Sequence, residues 1–137
     1  MDKLEYIPGD LVSVYVGIKK YIVEIIGTEN KNEVLLYQIK FQNEEIQYAD
    51  KDNIVPIPLT PEILEKNGWY GATHSKQSDD NTKILYKTFK RNGYPTIKVS
   101  QDLKITCELS PFIVKLESVS DLQHLLFGLN LNSDLEV

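Results

Sequence analysis

Few groups in this chain are equipped for covalent or acid–base chemistry. There is one cysteine, Cys107, and there are two histidines, His74 and His124. A lone Cys closes no intramolecular disulfide and supplies too few thiolates for a structural zinc site. Cys107 runs in phase with Leu103 and Ile105, which predicts a small buried hydrophobe on a strand. A nucleophile would need a base or cation nearby to stabilise the thiolate, and none stands beside it in sequence. His74 shares a polar stretch with Ser75, Asp79 and Asp80. A Ser-His-Asp triad takes its geometry from separate, rigid elements, which one polar loop does not supply. His124 falls outside the leucine stripe of the last predicted helix and is expected to face solvent. No His-Glu-x-x-His pair, Gly-rich phosphate loop or nucleophile elbow is present. The acid pairs Glu44-Glu45, Asp50 with Asp52, and Asp79-Asp80 sit in turn-like segments. Asp50-Lys51-Asp52-Asn53 lacks the central Gly and distant Glu of a calcium loop. The expectation is therefore no catalytic residue, no metal and no cofactor: the chain reads as a non-enzyme.

Binding residues are better represented. The sequence holds eight tyrosines. Tyr21, Tyr37 and Tyr48 fall on strand faces expected to point inward. Tyr15 falls on a polar face, and Tyr6, Trp69 and Tyr70 lie in or near connections. Exposed rings can form a platform for a peptide or a stacked base, and core or sub-core packing is the favoured competing reading. Lys83, Lys87, Lys90 and Arg91 form the local basic group; lysines on a strand also guard an edge against unwanted pairing. The candidate binding residues are Tyr15, Trp69, Tyr70, Lys87, Lys90 and Arg91. The net charge of -5, from 15 basic and 20 acidic residues, argues against broad binding to a phosphate backbone.

Positioning these residues requires a folded scaffold, and the composition allows one. At 137 residues, with 42% hydrophobic and 26% charged side chains, the chain is an ordinary globular sequence able to bury a core without staples. No apolar run reaches membrane-span length, and no signal-like stretch follows the first residues, so a cytoplasmic location is expected.

Pro8-Gly9-Asp10 opens a series of short alternating segments. Strands are predicted at 11–16, 21–26, 34–41, 45–48 and 54–57, separated by turns that include 17–20, a polar loop at 27–32, and 50–53. Val12, Val14 and Val16 share one face of the first strand, Leu35, Tyr37, Ile39 and Phe41 alternate against Gln38 and Lys40 on the third, and inward positions are expected at Tyr21, Val23, Ile25, Ile46 and Tyr48. Thr60, Pro61 and Glu62 form the start of a short helix, which Asn67-Gly68 ends. Residues 71–82 read as an exposed polar loop. Strands follow at 83–89, 94–99, 103–108 and 112–116. A last helix begins near Ser118, with Val119, Leu122, Leu125, Leu126 and Leu129 on one apolar face. The tail from Asn130 loses that period and is expected to fray.

Two resemblances add to this reading. Gly9-Asp10-x-Val12-x-Val14, Tyr21-x-Val23-x-x-Ile26 and Asp52-Asn53-Ile54-x-Pro56-Ile57 resemble a Src-homology-3-like barrel. Gly9 to Val12, Ile57 to Trp69 and Val119 to Leu129, in this order, resemble a group of small uncharacterised bacterial proteins. That group is frequent in gut anaerobes, their phages and mobile elements. It implies a fold of similar plan but no activity. Its members often carry a His where this chain has Ser120, so no role resting on that His transfers.

The expected fold is α+β: a small N-terminal Src-homology-3-like β-barrel over 1–58, then, over 59–137, a short capped helix, an antiparallel β-meander and a C-terminal helix, all packed as one compact unit. The expected function is a non-enzymatic binding or adaptor protein of phage or mobile-element type, acting through protein–protein contacts in the bacterial host or on a virion. The alternative is a nucleic-acid-binding module using the barrel surface and the Lys83–Arg91 ribbon. No membrane partner is expected, and the partner's identity and the oligomeric state stay open.

Overall fold

A computed structural model provides the structure, which describes residues 6–77, 83–109 and 111–137. Among these it is α+β, with two five-stranded antiparallel sheets and two helices. The chain divides into two units. One comprises Met1–Pro58 with Ser118–Asp134, and the other Leu59–Glu117 with Leu135–Val137. The C-terminal helix, expected with the second sheet, thus belongs to the first.

In the first unit the strands are β1 (Leu11–Val16), β2 (Lys19–Lys31), β3 (Val34–Lys40), β4 (Ile46–Asp50) and β5 (Ile54–Pro56), in the order β4-β3-β2-β1-β5. Among the described residues no ladder joins β4 to β5, so the sheet is open and the expected closed barrel is not formed by hydrogen bonds. Val12, Val14, Val23, Ile25, Tyr37 and Ile39 form its core together with Tyr6, Ala49 and Ile54. Two-residue turns set the register. Gly17 has a φ of 65°, and Asn32 and Glu33 have φ of 50° and 68°, the left-handed geometry that matches strand twist.

Two expectations shift here. The polar loop over 27–32 is strand through Lys31, because a bulge between Ile25 and Gly27 lets β2 continue along β3. Ile46 and Tyr48, expected inward, are exposed. Tyr37 pairs with Ala49 and Gln38 with Tyr48, so the small Ala49 is the residue turned onto the core opposite the Tyr37 ring. A one-residue change of register reverses every side chain of the strand.

Helix α2 (Val119–Gly128) opens with a capping box. Ser118 Oγ accepts from Asp121 N, and Asp121 Oδ2 accepts from Ser118 N, each at 3.1 Å. Val119, Leu122 and Leu126 are its buried apolar positions. Val119 N also donates to Ile57 O at 2.8 Å, which ties the helix start to the chain leaving β5.

The second unit starts with α1 (Pro61–Lys66), capped by Thr60 and ended by Gly68 at φ 93°. It continues through β6 (Tyr70–Gln77), β7 (Lys83–Lys90), β8 (Ile97–Ser100), β9 (Ile105–Leu109) and β10 (Phe112–Lys115), paired in sequence order. The exposed loop expected over 71–82 is corrected by β6, which pairs along β7; residues 78–82 lie outside the described residues. Register places Phe89, Ile97, Val99, Ile105 and Cys107 on one buried face. The tail is anchored rather than frayed at its end: Leu135 is buried, and Asn67 both donates to Glu136 O and accepts from Glu136 N.

Gly71 stands opposite Phe89. A Cβ there would lie 2.7 Å from the Phe89 ring, which is fully buried and has nowhere to move. Gly71→Ala is expected to destabilise the protein by about 1–3 kcal/mol, as overpacking does. A urea denaturation midpoint equal to that of the wild type would refute the close-approach argument.

Candidate functional site

The densest polar arrangement among the described residues lies in the first unit, where β1 meets α2. Valines and leucines at 119, 122 and 126 define the helix stripe, and position 123 lies on the same stripe. The side chain there is Gln123, which is buried. A buried amide must be satisfied or it costs stability. Gln123 Nε2 donates to Gly9 O at 2.8 Å and to Ser133 O at 3.2 Å, and Oε1 accepts from Leu11 N at 2.8 Å. Beside it, His124 Nε2 lies 2.6 Å from Oδ2 of Asp10, whose side chain is buried while the imidazole is half-buried. The same Asp10 oxygen accepts from Ile7 N at 2.9 Å. The Asp10 carbonyl accepts from Ile25 N, and Gly9 N donates to Ile25 O. His124, expected to face solvent, is therefore a partner of a buried carboxylate. Ser120, also buried, spends its hydroxyl on Ser118 Oγ at 3.0 Å.

This arrangement holds chain segments together. Its carboxylate and amide are hydrogen-bonded to backbone groups and to one imidazole. The sequence reading missed Gln123 and the Asp10–His124 pair because the contacts span more than a hundred residues. The available signal was a polar residue on the apolar spacing of a helix.

The predicted binding residues are dispersed. Tyr15 is exposed on the outer face of the first sheet, cross-strand from Lys20, whose ammonium lies 5.8 Å from the ring centre. Trp69 is 1% exposed and so is not a surface residue. It packs edge-to-face on Tyr94 at 5.4 Å. The Arg91 guanidinium lies 3.9 Å from the Tyr94 centroid and 5.1 Å from that of Trp69, so its charge is engaged by rings. Lys87 lies on the same side of β7 as Phe89, whereas Lys90 points to the opposite side, next to Tyr70 on β6. The ribbon from Lys83 to Arg91 is thus split between faces. Tyr70 is 81% exposed. His74 lies on β6, opposite Tyr86 in backbone register.

Two features stand out at the surface. The hairpin joining β1 and β2 exposes Tyr15, Val16, Ile18, Tyr21 and Ile22, with Ile18 99% exposed at the turn. A cleft of about 380 Å³ beside it is lined by Lys20, Tyr21, Ile22, Phe41, Gln42 and Asn43. Tyr21, expected inside, packs edge-to-face on Phe41 at the rim of the core. A second cleft of about 370 Å³, in the other unit, is lined by residues that include Pro61, Lys87, Val99 and Leu103.

Among the described residues no three His, Cys, Asp or Glu side chains gather as a metal site, and no helix is long and apolar enough to cross a membrane. Cys107 is fully buried, and that burial raises its thiol pKa. The hydrogen bond from Ser100, assisted by Lys104, holds the exposed Asp102 carboxyl below its usual range. No family model, no curated protein and no solved structure matches the chain.

Gln123→Ala would leave Gly9 O and Leu11 N without their partner and is expected to cost about 3 kcal/mol, at ~1–3 kcal/mol per orphaned group. Gln123→Met, which restores volume but not hydrogen bonds, should cost nearly as much; full recovery of the melting temperature by Met would refute the role assigned to the amide. Cys107 should resist a thiol reagent in the native state and react fully in denaturant. Because its folded-state pKa is raised, the unfolded chain loses this proton first, so stability should decline as the pH climbs through and beyond the ordinary thiol range. Rapid native labelling at neutral pH would contradict this burial.

Proposed function

We propose that the protein is a non-enzymatic binding or adaptor protein that acts through protein–protein contacts made by the β1–β2 hairpin. The observation that carries this reading is the run of exposed apolar residues at the turn, with Val16 and Ile18 at the tip and Tyr15, Tyr21 and Ile22 behind them. Apolar side chains gathered at an exposed projection favour a partner that removes them from water. The neighbouring cleft offers such a partner a recess for one or two side chains, with Phe41 and Tyr21 as its apolar wall. Rings of this kind are frequent anchors of protein interfaces. Lys19 and Lys20 follow the turn, which suits a partner with carboxylates beside an apolar centre.

The strand order β5-β1-β2-β3-β4, with a 3₁₀ turn at Lys51–Asn53 between β4 and β5, supports reading the first unit as a Src-homology-3-like curl. Such a scaffold hosts many binding functions and specifies none. The resemblance to small proteins of gut anaerobes, their phages and mobile elements directs the search for the partner to a bacterial host or a virion.

Ile18→Asp tests the proposal with little risk to the fold, because the side chain is outside the core. Immobilised wild type is expected to retain a specific protein from a lysate of the bacterial host or its phage, and Ile18→Asp is expected to lose it without a change in melting temperature. Equal retention by both would overturn the role of the hairpin, and no specific retention by the wild type would overturn the function.

A further inference from the structure

We propose that the outward face of the second sheet binds single-stranded nucleic acid, a surface separate from the β1–β2 hairpin. Strand register assembles this face from residues far apart in sequence. Opposite the buried side, Ala72, Thr88, Lys98, Thr106 and Lys115 form one continuous cross-strand row through β6, β7, β8, β9 and β10. Tyr70 and Lys90 are direct register partners one step along the strands, and both are exposed. Lys98 and Lys115 are exposed as well, and Lys98 Nζ lies 4.4 Å from the Tyr86 ring centre.

The charge of this face is opposite to that of the chain. The protein carries a net charge of -5, yet Glu108 is the only carboxylate among the described side chains that these five strands turn outward. Strand spacing of about 4.8 Å and alternate residues about 6.8 Å apart put Lys90 roughly 8 Å from Lys98, and Lys98 roughly 10 Å from Lys115. Three cations on long stems at that spacing can follow a bent polyanion. Between them Ala72, Thr88 and Thr106 keep the surface low, so a strand can lie across it.

Other occupants fit less well. The centre of the face is threonine and alanine, and its large exposed aliphatic side chain, Ile113, lies on the β10 edge opposite Glu108 rather than at the centre, where a protein interface places its anchor. Tyr70, 81% exposed, is a ring on which a base can stack, and stacking accepts any base. The ribbon expected from sequence enters this surface only through Lys90; Lys87 lies on the other side of the sheet, and Arg91 is stacked on Trp69 and Tyr94.

The test is a fluorescence-anisotropy titration of the full chain with an oligothymidylate of about 12 nucleotides, a length suited to one such platform. Binding is expected at low salt, with log K falling against log salt at a slope of about −2, three lysines contributing ~0.7 each on single strands. Tyr70→Ala should weaken binding about tenfold, within the range measured for base stacking. Lys98→Ala with Lys115→Ala should flatten the salt slope by more than half. Lys87→Ala and Ile18→Asp should leave both quantities unchanged, so a failed hairpin and a failed sheet face are told apart. No anisotropy change at low salt would overturn the proposal. So would binding indifferent to Tyr70→Ala and to the double lysine variant, equal affinity for a blunt duplex, or equal affinity for a glutamate-rich peptide, the last assigning the face to an acidic protein instead.

Discussion

Gln123 is the side chain on which closure of the first unit depends, since its one amide group joins the segment before β1, helix α2 and the chain near Ser133. An apolar residue at 123 would fill the same space and leave the backbone groups of Gly9 and Leu11 without partners. A charged residue would bring a desolvation cost that three backbone partners do not offset. A neutral donor and acceptor on one planar group fits the demand. The adjacent Asp10–His124 pair works in parallel: the carboxylate holds Ile7 N and the imidazole, while the Asp10 backbone belongs to the ladder with Ile25. The entry to β1 is therefore held at once by a strand neighbour and by the C-terminal helix.

Each unit has a sheet with one buried face, but the exposed surfaces differ in chemistry. In the first unit five exposed apolar groups collect at the β1–β2 hairpin, beyond the region where Val12, Val14 and Val23 are packed, while Val34, Ile46, Tyr48, Phe127 and Leu129 are exposed elsewhere. In the second the outward rows are mainly threonine, lysine and tyrosine, with Ala72, Glu108 and Ile113 among them. The difference arises from sequence alternation. Tyr15, Val16, Ile18, Tyr21 and Ile22 leave Lys19-Lys20 as the polar pair of the hairpin. In β7 to β9, by contrast, the alternation of Phe89, Ile97, Val99, Ile105 and Cys107 with Thr88, Lys98 and Thr106 sends those polar residues to one side, with Lys87 the exception on the other. A sheet of that kind keeps its buried face apolar while its outer face is free to vary in charge.

How much was legible from sequence follows from how local each cause is. Caps are local: Thr60 and Ser118 were placed at the helix starts they occupy, because a side-chain oxygen three residues ahead of an amide needs no distant partner. Strand β1 and the buried Cys107 follow from alternation alone. Strand β6 was hidden because Gly71, Ala72, Thr73, His74, Ser75 and Lys76 carry no apolar alternation. It is an edge strand, stabilised by pairing along β7 rather than by its own side chains. Ile46 and Tyr48 are hydrophobic yet face outward, because the pairing of the small Ala49 with Tyr37 sets the register of β4. The contacts of Gln123 and His124 had no local sign beyond spacing, and the basic residues that share a face do so only once five strands are aligned.

The aromatic surplus shows the same limit. A surplus of tyrosines is compatible with packing or with a binding platform, and a ring buried in a core is not available to a partner. Tyr6 and Tyr37 meet edge-to-face at 5.6 Å inside the first unit. Trp69 and Tyr94 are held by Arg91, which also lies 3.4 Å from where a Gly68 Cβ would be. A bulkier residue at 68 would be opposed both by that guanidinium and by the left-handed φ of the helix end. The basic residue that seemed best suited to a nucleic-acid surface is thus part of the packing beside α1, and the lysines of the opposite sheet face, less conspicuous in sequence because they are not contiguous, carry the exposed charge. Recognition surfaces on antiparallel sheets are written in alternate residues across strands, so a contiguous basic run is a weaker guide to them than register.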